Sequence, residues 1–107
     1  MAYRPSEQMR KNAKKALEFR KTLAPSQRYG TPVGLARARD IARGVRLSRD
    51  TIVRMRSFLA RHRGNAEKQR KAGEYGKARG AYDLWGGFAA IGWVNDKIRK
   101  YRRAGEL

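Results

Sequence analysis

The stretch LARARDIARGVRLSRDTIVRMRSFLARHR, residues 35–63, decides the fold. Its apolar residues recur every three or four positions, the period of a helix with one face turned inward. Leu35, Ala38, Ile41 and Ala42 make that face in a first helix from Val33 to Arg43. Gly44 ends it, as the residue best able to take the left-handed conformation that follows a helix. Ser48 then reads as the N-cap of a second helix, and Asp50 in its first turn suits the positive end of the helix dipole. This helix, Arg49 to about Arg63, turns Ile52, Met55 and Leu59 inward, with Phe58 on the edge. Arg49, Arg56 and Arg63, seven apart, fall on one flank of the stripe, and Arg54 and Arg61 on the other. The two rails bracket a narrow outward face of Asp50, Val53 and Ser57. Such rails can straddle phosphates on either side of a groove or simply solvate a helix, and spacing alone does not choose.

A short helix, a glycine, apolar turn residues Val45 and Leu47, a serine cap and an Arg-rich second helix are the parts of a helix-turn-helix. The turn Val45-Arg46-Leu47 is longer than usual, however, and Asp40 stands where a small core residue is expected. A plain αα-hairpin with basic flanks therefore stays open beside it. The second helix carries mainly Arg, Ser and Thr rather than the Asn or Gln suited to base edges, so phosphate contact is expected more than base readout.

Upstream, Ser6 to Ala24 has no Gly or Pro and repeats Met9, Ala13, Ala16, Leu17 and Leu23 at helical spacing. Pro5 and Ser6 suit its start and Pro25 forbids its continuation. Its stripe is thin, so residues 1–30 read either as a basic arm that orders on a partner or as an ordinary helix of a small bundle. PSQRYGTP, residues 25–32, is a loop by composition. Downstream, GNAEKQRKAGEYG, residues 64–76, lacks apolar periodicity and reads as a polar linker or a frayed helix. Beyond it come Ala81, Tyr82, Leu84 and Trp85, the pair Gly86-Gly87, then Phe88, Ile91, Trp93, Val94, Ile98 and Tyr101. This predicts a short helix to Trp85, a turn at the two glycines and a last helix from about Phe88 to Arg103. No strand pattern and no internal repeat occurs. The expected fold is all-α: four or five helices, with a helix-turn-helix-like hairpin packed on a Trp-bearing C-terminal segment. The helical domain spans 31–107.

Charge narrows the function. The 107 residues carry 27 Lys and Arg against 9 Asp and Glu, a net charge of +18. Such self-repulsion is tolerated mainly where an anionic partner neutralises it. Arg outnumbers Lys by 18 to 9, and guanidinium forks grip phosphate bidentately and stack on bases. The cations run along the whole chain, whereas a membrane-surface protein concentrates them in one helix or tail. No apolar run is long enough for a membrane span. A nucleic acid is the favoured partner, an acidic protein the alternative, and no membrane role is expected.

Chemistry has few carriers. There is no Cys and one His, so thiolate metal sites, disulfides and cysteine nucleophiles are excluded. His62, between Arg61 and Arg63, reads as a surface or capping residue. Its pairing with Asn65 has only a vague likeness to an HNH nuclease, without the strands or the metal partners. Asp83 and Asp96 are expected to pair with Arg. Trp85, Tyr82 and Trp93 are either core or a stacking platform for bases, and core is favoured because few other large apolar residues exist. A non-enzymatic binder with no cofactor and no metal follows.

Thr31-Pro32-Val33-Gly34, Ala38-Arg39 to Gly44, Leu47-Ser48, Thr51-Ile52, Arg54-Met55, Ser57-Phe58 and Ala60-Arg61-His62 resemble a small helical module of tailed-bacteriophage proteins. That module occurs alone or attached to head-morphogenesis proteins and prohead proteases. Leu84-Trp85-Gly86-Gly87 followed by Trp93 is similar to its second block. The resemblance spans Thr31 to Lys100, about two thirds of the chain. Arg63-Gly64-Asn65 stands where the module often has acidic residues, and Phe88 where it has an Asp, so both departures remove negative charge. The resemblance implies a phage setting, virion or host cytoplasm, in which the packaged genome supplies the polyanion; DNA is favoured over RNA. It transfers no activity to particular residues. The expected phosphate contacts are Arg46, Arg49, Arg54, Arg56, Arg61 and Arg63, with Lys11, Lys14 and Lys15 from the first helix.

Overall fold

A computed structural model describes all residues, 1–107. Five helices follow one another: α1 (Glu7–Lys21), α2 (Pro32–Ala42), α3 (Arg49–Lys71), α4 (Lys77–Leu84) and α5 (Ala89–Arg103), with a single 3-10 turn at Pro25–Gln27. The molecule is all-helical, as the periodicity predicts. No helix is long and apolar enough to cross a membrane.

Local chemistry sets the helix starts. The side chains of Ser6, Thr31 and Ser48 each accept a hydrogen bond from the backbone N–H three residues on, satisfying a donor that the first turn leaves unpaired. Gly44 takes the left-handed conformation (φ 72°) one residue past the α2 C-cap, so the serine cap and the glycine stop lie where the sequence places them.

α3 corrects the reading of residues 64–76. The helix runs on through Gly64 and Asn65 to Lys71, 23 residues in all, about 35 Å. Ala66 is fully buried one heptad beyond Leu59, so a single small side chain continues the inward stripe. Glu67 pairs with Arg63 at 3.8 Å and with Arg70, and the Arg70 guanidinium lies 4.5 Å from the Phe88 ring centroid. The Gln69 Oε1 accepts from the Arg79 N–H at 2.9 Å and so serves the start of α4, whose N-cap Gly76 has no side chain to offer. Polar and small residues hold this turn through tertiary contacts that apolar periodicity does not register.

The N-terminal segment is no loose arm. Met9, Ala13 and Ala16 are fully buried, and α1 packs on α2 and α4. Small side chains make a thin stripe in sequence but allow close approach of helices in space. Tyr29 is buried in the following loop, and its hydroxyl donates to the Ala16 carbonyl at 2.5 Å. Ahead of α1, Tyr3 and Leu47 exchange backbone hydrogen bonds of 3.0 and 2.7 Å in an antiparallel bridge, pinning the N-terminus to the turn between α2 and α3. The Tyr3 ring meets Tyr101 edge-on at 5.6 Å, which adds α5 to the same clasp.

α2 and α3 are consecutive but have different partners: α2 packs on α1 and α4, and α3 on α4 and α5. The two helices therefore share no extended interface, and the helix-turn-helix-like packing expected from the sequence is not seen. Its Trp-bearing segment is nevertheless central. Tyr82, Leu84, Trp85, Ala90, Val94, Ile98 and Tyr101 are buried, with Gly86 (φ 99°) and Gly87 (φ 70°) reversing the chain between α4 and α5. A side chain at Gly87 would run into the Asp83 carboxylate, so the turn needs glycine for space as well as for its backbone.

Candidate nucleic-acid interface

α3 positions the largest group of unpaired cations. Its N-terminus is fixed by Ser48 and the Tyr3–Leu47 bridge, and its core face by Ile52, Met55, Leu59 and Ala66. With that face inward, Arg49, Arg54, Arg56, Arg61 and Arg63 are all exposed, and so is Arg46 in the turn before the helix. Arg46, Arg54, Arg56 and Arg61 have no carboxylate within 4.0 Å. Arg49 lies 3.8 Å from Asp50 and donates to the Glu106 carbonyl at 3.0 Å, and Arg63 shares Glu67. The four unpaired guanidiniums are thus preorganised at their base and undischarged at their tip.

The flanks separate as the seven-residue spacing predicts. Arg56 and Arg63 border a groove of about 250 Å3 between α3 and α5, floored by Leu59, Ile91 and Val94. Arg54 and Arg61 border a second groove of about 450 Å3 on the other flank, between α3, the start of α2 and Trp85. Val53 and Ser57 line this second groove rather than standing clear of it.

The lysines belong elsewhere. Lys11, Lys14 and Lys15 are exposed on α1, which packs on α2 and α4. Lys11 pairs with Glu7 at 3.3 Å. Lys15 pairs with Asp83 at 3.3 Å and sits 5.0 Å from the Tyr75 ring centroid. Lys14 alone of the three has no carboxylate partner within 4.0 Å.

Asp83 is the one buried acidic residue, 6% exposed. It accepts from the Tyr75 hydroxyl at 2.7 Å, and alongside it Asn12 donates to the Gly86 carbonyl at 2.9 Å. Burial pushes the Tyr75 phenol well above its ordinary range, with the hydrogen bond to Asp83 and its charge adding to the rise. Tyr29, buried nearby, is pushed up to about 12 by burial and then by the Asp83 charge. This cluster ties α1 to the α4–α5 turn. Asp96 lies on the surface among Lys97, Lys100 and Arg99 at 3.1, 3.5 and 3.9 Å, and the hydrogen bond from Lys97 holds its carboxyl below the usual range. No group of three or more His, Asp or Glu side chains converges as a metal-ligand set.

The sequence names Phe58, His62, Asn65 and Trp85 singly but does not bring them together beside Arg54 and Arg61. Phe58 stacks on Trp85 with ring centroids 4.5 Å apart and planes 13° from parallel, and lies 4.4 Å from the His62 ring. The groove continues past these rings into a recess of about 240 Å3 lined in part by Asn65 and Ala81. Phe58, His62 and Asn65 are spaced i, i+4, i+7 on one helix face; that signal is legible only once α3 is carried through Asn65. Trp85, 8% exposed, serves the core and also lines the groove. Behind it lies Arg37, its guanidinium carbon 5.9 Å from the Trp85 ring centroid, with a buried Nε that has no hydrogen-bond partner. Compared with known proteins, the chain matches no family model, no curated protein and no solved structure.

Proposed function

We propose that this protein is a non-enzymatic nucleic-acid binder that grips backbone phosphates with the arginines of α3. The observation that carries this reading is the set Arg46, Arg54, Arg56 and Arg61: exposed, without a carboxylate within 4.0 Å, and mounted on or just before one well-anchored helix. Unpaired guanidiniums on backbone positions fixed by the helix and its turn offer bidentate donors to phosphate with no local ion pair to break first. A net charge of +18 adds long-range attraction to a polyanion and raises the encounter rate. Arg49 and Arg63 extend the contact once a phosphate competes with their local partners. The resemblance of Thr31–Lys100 to the tailed-phage module supports a virion- or packaging-associated setting, with DNA favoured over RNA as the polyanion.

One observation favours a second reading. The groove between α3 and α5 has an apolar floor between Arg56 and Arg63, the arrangement that suits an acidic amphipathic segment of a protein partner. The two readings part in a competition experiment. A labelled duplex DNA bound at physiological salt is displaced by unlabelled DNA or RNA under the first. Under the second, a partner captured from the host or virion stays bound when excess naked DNA is added.

A further inference from the structure

The groove bordered by Arg54 and Arg61 differs in kind from its counterpart across α3. The α3–α5 groove has an aliphatic floor of Leu59, Ile91 and Val94. The Arg54–Arg61 groove has aromatic walls: Phe58 and Trp85, stacked at 4.5 Å, with the exposed His62 ring 4.4 Å from Phe58. Its volume, about 450 Å3, falls in the range of small-molecule sites. Arg54 and Arg61 stand two turns apart along its edge, about 10 Å on the helix axis, and neither has a carboxylate within 4.0 Å. Asn65, an exposed residue, brings a side-chain amide to the adjoining recess that shares Phe58, His62 and Trp85 with the groove.

An aromatic surface between two free cations, with an amide beside it, matches a nucleotide whose base is out of its helix. The exposed His62 ring, at the end of the Phe58–Trp85 stack, offers a stacking face that any base can use. The guanidiniums meet the phosphates on either side of that base. An asparagine amide can donate to and accept from a base edge. A base paired inside a duplex presents no free face to such rings. We infer that this groove takes an unpaired base of a single-stranded nucleic acid, with the flanking phosphates on Arg54 and Arg61. The inference deepens the nucleic-acid reading above and rests on it: that reading needs only phosphates, whereas this one needs bases.

The test compares a short oligothymidylate with an abasic oligonucleotide of the same length and the same number of phosphates. Trp93→Phe leaves Trp85 as the sole tryptophan, so its fluorescence reports events in the groove. The intact strand is expected to bind about tenfold tighter than the abasic strand and to quench Trp85, as one stacked base requires. Ser57→Leu, at an exposed position lining the groove, is expected to weaken the intact strand more than the abasic one and so to bring the two affinities together. Equal affinities with unchanged Trp85 emission overturn the inference and leave phosphate binding standing. A base preference that survives Ser57→Leu also overturns it, because the base then sits elsewhere. Thymidine monophosphate binding as tightly as the oligomer would assign the groove to a free nucleotide instead. If neither oligonucleotide binds, the nucleic-acid reading itself falls.

Discussion

The Phe58 ring lies 4.5 Å from the indole of Trp85, 13° from parallel, and so fastens the middle of α3 to the turn that joins α4 and α5. One stacked pair thereby serves two ends: it closes the core under Trp85 and forms a wall of the Arg54–Arg61 groove. Phe58→Ala is expected to destabilise the fold by about 3 kcal/mol through lost burial and an unfilled space. Arg54→Ala and Arg61→Ala, exposed and without carboxylate partners, are each expected to stay within about 0.5 kcal/mol of the parent. Denaturant unfolding of the three variants checks both statements. A Phe58→Ala protein as stable as Arg54→Ala would mean that the stack carries no packing energy.

Gly87→Ala tests the chain reversal. The backbone there is left-handed (φ 70°), and an added Cβ would run into the Asp83 Oδ1 and stand 2.8 Å from the Asn12 Nδ2. Strain from the backbone and displacement of the buried carboxylate together are expected to cost about 2–3 kcal/mol. A melting temperature equal to the parent's would show that α1 and the turn yield without cost. Gly64→Ala is the matched control, in the helix interior with open space around it, and is expected to stabilise by about 1 kcal/mol.

Alkaline pH acts through the buried phenols. Burial first, then the Asp83 charge, raises Tyr29 to about 12, and burial, with Glu67 adding and Arg63 opposing, raises Tyr82 to about 12. Tyr75 is raised further by burial and by its bond to Asp83. In the unfolded chain these phenols ionise near their ordinary value of about 10. Between about pH 10 and 12 the unfolded state therefore holds fewer protons than the folded one, and stability falls as pH rises. Spectroscopic titration of phenolate is expected to show most of Tyr29, Tyr75 and Tyr82 ionising only with unfolding. Smooth ionisation near pH 10 with the helix signal intact would contradict the burial of these hydroxyls.

Much of the fold is legible in the sequence because capping is local chemistry. Ser6 and Ser48 read as caps and Gly44 as a stop with no knowledge of tertiary structure, and each serves as such. The continuation of α3 past Arg63 is not legible, because it depends on Ala66 in the core, on Gln69 serving α4 and on Arg70 over Phe88. The firm docking of α1 is hidden for a related reason: Ala13 and Ala16 carry little hydrophobic weight in a sequence yet are the residues that let helices meet closely. The exposure of the α3 arginines follows from the helical wheel. The groove beside them does not, since Trp85 arrives from a separate helix end and Asn65 joins Phe58 and His62 only on the lengthened helix.

The central claim is that α3 binds phosphates, and salt dependence tests it most directly. Binding of a random duplex is measured over a series of salt concentrations for the parent and for Arg54→Ala/Arg61→Ala. Neutralising about six phosphates predicts a log–log slope of about −5 for the parent, and losing two contacts makes it shallower by about 2. An identical slope in both proteins, or no binding at physiological salt, would contradict the claim that these arginines hold the nucleic-acid backbone.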